Sequence, residues 1–444
     1  MSATADLSMP NAFVPGRGNL SPDNEALVAR RARVLGPAYR LMYETPLHLV
    51  RGDGVWLYDD TGRAFLDAYN NVTSIGHCHP RVVEAIRAQV GVLATNTRYL
   101  HTAILDYAER LVATFPAELS QVMFACTGSE ANDLALRIAK ARTGGTGIIV
   151  TENAYHGITE SVAAFSPSLG PSVDLGPHVR TVPAPDRYHM GERDVGAAFQ
   201  AGVEAAIADL RRHGIRPAVL IVDSLFTSDG VLAGPTGVLR GAAEAIRAAG
   251  GLFIADEVQP GFGRTGEAMW GFERHGVVPD MVTLGKPMGN GQPISAVVMR
   301  PEIVADFGRN ARYFNTFGGN AVSCAAAAAV LDAIEAEGLQ ENALRTGRHL
   351  LERVQAVSAD DPGVGDVRGA GLFMAVEFVA DRQTRAPDRA RASRVVNAMR
   401  ERGVLISVSG KHHNSLKIRP PLVFDRGNAD LFAEVLEASL QATA

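Results

Sequence analysis

Cysteine, tryptophan and long apolar runs are scarce in this sequence. Its 444 residues include three cysteines and two tryptophans. The cysteines, Cys78, Cys126 and Cys324, stand too far apart for a disulfide framework or a cysteine-type metal motif. No uncharged apolar stretch reaches membrane-spanning length, and the N-terminus lacks the basic start and apolar run of a signal peptide. These features predict a cytoplasmic protein with neither a membrane span nor a metal site.

An excess of basic residues is also lacking. Lys and Arg total 43 against 48 for Asp and Glu, which gives a formal net charge of −5. Without a basic stripe, nucleic acid is not an expected partner. The 46% hydrophobic and 20% charged content is ordinary for a folded protein, and the length is sufficient for a large enzyme subunit.

Short β-branched runs alternate with helical patterns through the middle of the chain. This alternation predicts an α/β domain with a mostly parallel, doubly wound sheet between helices. The predicted strands are Ile148–Thr151, Val219–Asp223, Leu252–Asp256, Met281–Gly285 and Ala296–Met299. The predicted helices between them are Glu130–Arg142, Ala201–Arg212 and Thr236–Ala249.

The two ends of the chain have different patterns. Pro, Gly, Ser and Asn are frequent over Met1–Asn24, which predicts an extended or mobile arm, and residues 47–66 carry a hairpin pattern. After an alanine-rich helix at Ala321–Glu337, the last third predicts a smaller α+β domain. Its predicted elements are strands at Gly371–Val379 and Ser415–Phe424 and a helix at Ala390–Arg402. We expect an N-terminal segment over residues 1–75, a large domain over 76–325 and a C-terminal small domain over 326–444.

A helix-start motif occurs at Thr127–Glu130. Thr followed three residues later by Glu is a capping-box pattern, and Gly128 permits a sharp turn before the helix. A helix N-terminus offers unpaired N–H groups and a positive dipole end, so Gly128 and Ser129 are candidates for binding a phosphate. An ordinary helix cap without a ligand has the same pattern, and the motif alone leaves both interpretations open.

Two polar residues follow predicted buried strands. Asp256 ends one strand and Lys286 comes directly after another, and in open α/β sheets the carboxyl ends of strands border the ligand crevice. A carboxylate there could hold a protonated pyridine nitrogen, and a lysine in a partly dry crevice could supply a neutral amine. Gln259 could donate a hydrogen bond to a ring oxygen. Each residue, taken alone, could equally be a cap or a solvated side chain.

Weaker signals lie in three loops. Tyr155-His156-Gly157 follows a predicted strand, where an aromatic ring could stack on a flat cofactor, and Thr316 precedes flexible glycines as a second candidate phosphate contact. The segment Gly261–Gly266 matches a dinucleotide fingerprint in form. However, four residues (257–260) separate it from the end of the preceding predicted strand, so a nucleotide site there is not favoured.

In order along the chain, these segments resemble those of class III aminotransferases. The matching motifs are GHCHP (76–80), FACTGSEANDLALR (124–137), AYHG (154–157), ADEVQPGFGRTG (255–266), GKPMGNG (285–291), TFGGN (316–320), VRGAGLF (367–373) and KIRPPL (417–422). The resemblance implies a fold type I enzyme that uses pyridoxal 5'-phosphate (PLP), with a seven-stranded type of sheet and a small domain built from both chain ends. It also implies a homodimer with shared active sites, a tetramer being the open alternative.

The same resemblance implies a role for each matched residue. Lys286 would form the Schiff base with PLP and then transfer protons. Asp256 would pair with the pyridinium nitrogen and Gln259 with the phenolic oxygen. The remaining implied cofactor contacts are Tyr155 stacked on the ring, His156 beside it, Gly128 and Ser129 on the phosphate, and Thr316 supplied by the neighbouring subunit.

Implied substrate contacts are Arg419, which in this family binds a substrate carboxylate, together with Asn71 and His77 in loops. Many members carry a Glu-Pro-(Ile/Val)-Gln-Gly-Glu-Gly-like segment whose second glutamate pairs with that arginine as a gate. Here the segment is Asp223–Gly230, and Ser228 takes the place of the glutamate. We therefore expect Arg419 to be free to bind an anion at all times.

YNNV (69–72), TRYLH (97–101) and GNG (289–291) resemble a narrower branch, the phospho-lyases of ethanolamine phosphate and 5-phosphohydroxylysine. Phosphate elimination from a small amine phosphate is the first hypothesis, supported by the missing gate glutamate and the cations Lys411, Lys417 and Arg419. An ω-aminotransferase that uses pyruvate or 2-oxoglutarate is the second. A nucleotide-binding oxidoreductase or a non-catalytic binding protein is the third. The fold alone does not decide between elimination and transamination.

Overall fold

The computed structural model describes residues 9, 11–16 and 18–444, and within them the chain forms three sheets flanked by helices. The strands are β1 Leu49–Asp53, β2 Trp56–Asp59, β3 Ala64–Asp67, β4 Gln121–Ala125, β5 Gly147–Thr151, β6 Val179–Val182, β7 Pro217–Asp223, β8 Leu252–Asp256, β9 Met281–Leu284, β10 Ser295–Met299, β11 Val364–Ala370, β12 Phe373–Asp381, β13 Ala386–Pro387, β14 Val404–Leu405, β15 Ser407–Ser409 and β16 Ser415–Ile418.

The helices pack on both faces of the largest sheet and around the two smaller ones. They are α1 Pro22–Leu35, α2 Pro80–Val90, α3 Thr102–Val112, α4 Gly128–Thr143, α5 Glu160–Ala163, α6 Arg187–Met190, α7 Val195–Arg212, α8 Arg240–Ala248, α9 Pro301–Asn310, α10 Ala321–Ala336, α11 Leu339–Ser358, α12 Arg389–Glu401 and α13 Arg426–Ala442. Short 3-10 helices occur at Pro167–Leu169 and Gly271–His275. No helix in this described part of the chain is both long and apolar enough to cross a membrane.

The largest sheet has seven strands in the order β4-β10-β9-β8-β7-β5-β6. Strands β9, β8, β7, β5 and β6 run parallel, whereas β10 is antiparallel to both of its neighbours. The predicted mostly parallel sheet is confirmed. The inner strands read as continuous apolar runs because both of their faces are buried under helices.

Two strands of this sheet were not predicted. Both β4 and β6 lie at its edges, and each pairs with a single neighbour. Edge strands are short and carry polar residues, such as Gln121 in β4 and Arg180 in β6. Their apolar pattern is therefore too weak to distinguish them from loops.

The chain ends come together in the second sheet, β1-β2-β3-β14, in which C-terminal β14 runs parallel to β3. The third sheet, β11-β12-β16-β15, belongs to the last third of the chain. This arrangement agrees with a small α+β unit built from both ends, although the boundaries near residues 75 and 325 stay predictions.

Two sequence predictions at the chain ends need correction. The strand expected over Ser415–Phe424 ends at Ile418, because Pro420 and Pro421 have no N–H to donate to a sheet. Helix α1 begins at Pro22, capped by Ser21, so it occupies the end of the segment that was expected to be an arm. The rest of that expectation falls partly on residues 1–8, 10 and 17, which lie outside the described residues.

Candidate active site

A cavity of about 520 Å³ opens where the carboxyl ends of β5, β7, β8 and β9 meet the start of α4. It forms there because parallel strands end at the same edge of the sheet. Seven of the residues predicted from the sequence line it: Gly128, Ser129, Tyr155, His156, Asp256, Gln259 and Lys286. The fold therefore brings together residues that are up to 158 positions apart along the chain.

One wall of the cavity is the N-terminus of α4. The predicted capping box is present: the Glu130 N–H donates to Thr127 Oγ1 over 3.2 Å, and Glu130 Oε2 accepts from the Thr127 N–H over 3.1 Å. Gly128 and Ser129 are the first two residues of this 16-residue helix. Their position at the positive end of the helix dipole suits a bound phosphate.

Asp256 lies at the end of β8 and is nearly inaccessible to solvent. Its Oδ2 is 2.7 Å from His156 Nδ1 and accepts from Asn132 Nδ2 over 3.1 Å, while Oδ1 accepts from the Val258 N–H over 3.1 Å. His156 therefore acts on the site through Asp256. Asn132 was not predicted, because its only sequence signal is one polar position on the inner face of α4.

Lys286 follows β9, directly after Gly285, which lies against Gly128 at the start of α4. Burial lowers the pKa of its ammonium, and the nearby Arg419 lowers it further, whereas Asp256 and Asp223 oppose the shift. A larger share of neutral amine results at neutral pH than for a lysine in water. Neutral amine is the form that can attack a carbonyl or accept a proton.

Gln259 has a more constrained position than the sequence indicated. Its Nε2 donates to Thr227 Oγ1 over 2.5 Å, and its Oε1 accepts from Lys417 Nζ over 3.0 Å and also from Arg419 Nη1. Arg419 is not without partners: its guanidinium donates to Gln259 and, through Nε, to the Tyr69 carbonyl over 3.0 Å. Both partners are neutral, so the expectation that Arg419 can bind an anion at all times stays a prediction. The residue that holds Arg419 in place of the missing glutamate is a neutral amide.

Lys417 and Arg419 are buried neighbours on β16 and just beyond it. Neither forms an ion pair with a carboxylate anywhere in the described ranges. Burial lowers the pKa of Lys417 well below the ordinary lysine value, and Arg419 and Lys286 lower it further, against the attraction of Asp223. Asp223 also lines the cavity, and burial raises its pKa to about 6.

Other predicted residues do not reach the cavity within one chain. Asn71 is buried between Arg264, from which its Oδ1 accepts over 2.7 Å, and the Gln259 carbonyl, to which it donates over 3.1 Å. His77 Nε2 lies 2.7 Å from Asp67 Oδ2. Thr316 is exposed and absent from the cavity lining, and Lys411 is paired at the surface with Glu152 over 3.0 Å.

The glycines of Gly261–Gly266 have a packing role. A side chain at Gly266 would come within 2.3 Å of the Leu344 nitrogen on α11, and one at Gly261 within 3.0 Å of the Trp270 ring. The segment leads into turns, with no helix start directly after it. This geometry agrees with the view that Gly261–Gly266 is not a dinucleotide-binding loop.

Arg264, in the same segment, is fully buried and donates to Asn71 and to the carbonyls of Leu372 and Pro420.

Comparison with known proteins gives the family. The profile described as Aminotransferase class-III matches residues 40–440. Alanine–glyoxylate aminotransferase 2-like of Drosophila melanogaster is 42% identical over 415 residues, covering 90% of this chain and 84% of its own. Ethanolamine-phosphate phospho-lyase homolog 1 of Caenorhabditis elegans is 36% identical over 424 residues, covering 91% of each chain.

A solved structure is similar over nearly the whole length. It is a phospholyase from Arthrobacter in complex with phosphoethanolamine, 45% identical, with a TM-score of 0.91 over 94% of this chain and 100% of that one. The chain belongs to the class III aminotransferase family of fold type I, PLP-dependent enzymes.

The cavity fits this cofactor. It combines a helix N-terminus for a phosphate, a buried carboxylate on Asp256 for a pyridine nitrogen, the Tyr155 ring, and the Lys286 amine. Its volume of about 520 Å³ lies within the range of small-molecule sites. In addition, His156 Nε2 is buried without a hydrogen-bond partner among the described residues. Buried polar atoms are usually hydrogen-bonded, so an atom of this kind is expected in a site that binds a ligand. The described residues contain no cluster of three or more His, Cys, Asp or Glu side chains that could hold a metal ion.

Proposed function

We propose that this protein is a phospho-lyase that eliminates phosphate from a small amine phosphate, with ethanolamine phosphate as the favoured substrate. The observation that carries the proposal is the pair of buried basic side chains, Lys417 and Arg419, whose shared partner is the neutral Gln259 amide oxygen. A dianionic phosphate bound beside them would favour the charged form of both groups, including Lys417, whose pKa is lowered by burial. Charge-assisted hydrogen bonds to phosphate are strong in a partly dry site.

The names of two similar proteins support the proposal. The C. elegans relative is named as an ethanolamine-phosphate phospho-lyase homolog, and the Arthrobacter structure is a phospholyase with phosphoethanolamine bound. The substitution of Ser228 for the gate glutamate supports it as well, because no carboxylate at that position competes with a substrate anion for Arg419.

The chain's own residues supply three functions in this reaction. Asp256 is a fixed buried anion that would stabilise positive charge on the cofactor ring nitrogen, and His156 and Asn132 keep it in place. Lys286 would bond the cofactor at rest and, once displaced, serve as the base that accepts a proton from the amine-bearing carbon. Bound PLP withdraws electrons from that carbon and so makes its proton acidic.

Elimination follows if the neighbouring carbon carries a leaving group. The electron pair of the broken C–H bond forms a carbon–carbon double bond, and the C–O bond to phosphate breaks with its electrons on the phosphate oxygen. Lys417 and Arg419 would stabilise the charge that the departing phosphate gains. Addition of water then gives acetaldehyde and ammonia, so that one ethanolamine phosphate and one water yield acetaldehyde, ammonia and phosphate.

Transamination is the second candidate, an ω-aminotransferase reaction with pyruvate or 2-oxoglutarate as the acceptor. It is favoured by the name of the D. melanogaster relative, an aminotransferase-like protein 42% identical to this chain. In that reaction the Lys286 ammonium would return the proton to the cofactor side instead of allowing a group to leave. Transfer of an amine to pyruvate without phosphate release from ethanolamine phosphate would favour this candidate over elimination.

The homodimer and the shared site belong to the same proposal. Large apolar side chains are exposed on one chain, among them Tyr99, Leu100 and Phe317, which is typical of a surface that another subunit covers. The exposed Thr316, next to Phe317, would complete the phosphate site of the partner subunit. Light scattering with size-exclusion chromatography should give twice or four times the mass of one chain. The cytoplasmic location stays a prediction.

A substitution at Lys417 tests the proposal. Lys417→Met keeps the length of a buried side chain and removes its charge, so kcat/KM for ethanolamine phosphate should fall at least about tenfold through the loss of one charge-assisted contact. Lys411→Met is the matched control, because that lysine is exposed and paired with Glu152. If both variants release phosphate as fast as the wild type, or if the wild type releases none, the assignment fails.

A further inference from the structure

Thr227 is a buried polar residue that neither the sequence motifs nor the proposed mechanism uses. It lies in the Asp223–Gly230 segment, and its side chain is fully shielded from solvent. Its hydroxyl donates to Asp223 Oδ2 and accepts from Gln259 Nε2 over 2.5 Å. A hydroxyl has one hydrogen to donate, and Thr227 gives it to the carboxylate, so its oxygen is left as an acceptor for the amide.

This arrangement fixes which way the Gln259 amide faces. Because the nitrogen end points to Thr227, the oxygen end must point to the opposite side, where Lys417 Nζ lies at 3.0 Å and Arg419 Nη1 also donates. A reversed amide would direct its N–H groups at two cations and leave Thr227 without a donor. The Thr227 hydroxyl therefore favours the orientation in which one oxygen serves both cations.

Thr227 also engages Asp223, an acid that interacts through space with both Lys417 and Arg419. Asp223 lines the cavity, its Oδ1 accepts from the Leu225 N–H over 2.9 Å, and its Oδ2 accepts from Thr227. Although Asp223 and Lys417 interact through space, they form no ion pair within the described part of the chain. Hydrogen bonds inside its own segment occupy this carboxylate, so it does not neutralise Lys417.

We propose that Thr227 is a positioning residue that determines anion specificity. It orients Gln259 so that a neutral oxygen aligns Lys417 and Arg419 without cancelling their charge. It also binds the Asp223 carboxylate, which therefore does not form an ion pair with them. The inference rests on the proposed function and deepens it: the aligned pair would select an amine substrate that carries a phosphate on the neighbouring carbon. Ser228, the next residue, has no side-chain hydrogen bond among the described residues and plays no part.

Calorimetric titration of the holoenzyme with inorganic phosphate tests the inference, because the cofactor's own phosphate then occupies the start of α4. Thr227→Val keeps the shape and removes the hydroxyl, and Thr227→Ser restores it. The phosphate Kd should rise roughly tenfold in the valine variant, about the effect of one lost hydrogen bond to a charged network, and stay within about twofold of wild type in the serine variant. Ser228→Ala is the control and should bind phosphate as the wild type does.

Kinetics give a second readout that a merely structural role would not move. In Thr227→Val the KM for ethanolamine phosphate should rise by a similar factor while kcat changes less, because Lys286 and Asp256 are untouched. Gln259→Glu places a carboxylate beside both cations and should weaken phosphate binding more than Thr227→Val does, even if the valine variant folds poorly. If Thr227→Val and Gln259→Glu both bind phosphate as tightly as the wild type, the inference about Thr227 is overturned, but the proposed function is not. A wild-type holoenzyme that does not bind phosphate at all would instead overturn the proposed function.

Discussion

Adding a single methyl group at Gly157 should disrupt the cofactor site without touching a charged residue. Gly157 has a φ of +144°, a conformation that residues with a side chain rarely adopt. A Cβ atom there would lie 2.3 Å from Ser129 Oγ and 2.7 Å from Ser129 Cβ. Ser129 is the second residue of α4, and its Oγ accepts from the Ile158 N–H over 3.1 Å. The loop after β5 and the helix start that would hold the cofactor phosphate therefore meet at this point.

The size of the effect follows from two costs. An unfavourable backbone conformation costs about 1–3 kcal/mol, and overpacking of a tight contact costs about 1–3 kcal/mol more. The contact must open by about 1 Å before two non-bonded atoms can coexist there. The start of α4 or the loop must move to provide that space, so part of the total of about 2–6 kcal/mol will appear as lost cofactor affinity. If only about 1.4 kcal/mol is transmitted, the PLP dissociation constant rises tenfold.

The assay is a titration of apoprotein with PLP, followed by the visible absorbance of the bound cofactor, for wild type, Gly157→Ala and a control. Gly170→Ala is the matched control: its φ is +88°, and an added Cβ would have no heavy atom of the described residues within 4 Å. The control should lose some stability and keep its PLP affinity. If Gly157→Ala and Gly170→Ala bind PLP with equal affinity, Gly157 is not coupled to the helix start that would hold the cofactor phosphate.

Two further predictions concern stability. Burial raises the pKa of Asp229 to about 7, above its unfolded value, so its contribution to stability is present at low pH and is lost as the pH rises from about 4 through 7. The free energy of unfolding of Asp229→Asn, measured with urea, should therefore rise relative to that of the wild type as the pH is raised from 5 to 8. A difference between the two proteins that does not change with pH would contradict this. Arg391 pairs with Asp361 through two contacts of 2.6 Å while both are largely buried, so Arg391→Met should cost about 3–5 kcal/mol. The exposed Arg309 gives the control, since Arg309→Met should cost under about 1 kcal/mol; equal costs would contradict the burial argument.

The sequence predicted the parts of the site that depend on local patterns. A buried strand followed by a polar residue placed Asp256 and Lys286 at the sheet edge, and the spacing of Thr127 and Glu130 predicted the capping box that the structure contains. These predictions succeed because strand ends and helix starts are determined within a few residues.

The polar network around Gln259 could not be predicted in the same way. Its members come from β7, from β16 and from the segments that follow β7, β8 and β16, and no short-range pattern specifies which of several partners an amide will choose. In β16 the alternation of Leu416 and Ile418 with Lys417 is typical of a strand with one solvated face, yet both faces are buried. The Lys417 side chain meets Gln259 instead of solvent, and only the assembled fold reveals this.

The central claim is that, once Lys286 has taken the proton, the electron pair of the broken C–H bond forms a carbon–carbon double bond and phosphate leaves with the electrons of its C–O bond, so that the cofactor is not converted to its amine form. The most direct test counts the inorganic phosphate that the holoenzyme releases per subunit from ethanolamine phosphate when no oxo acid is present. Elimination leaves the cofactor unchanged, so we predict many phosphates per subunit, each matched by one ammonia, with the visible spectrum restored at the end. Conversion of the cofactor to its amine form with no more than one phosphate per subunit would contradict the account.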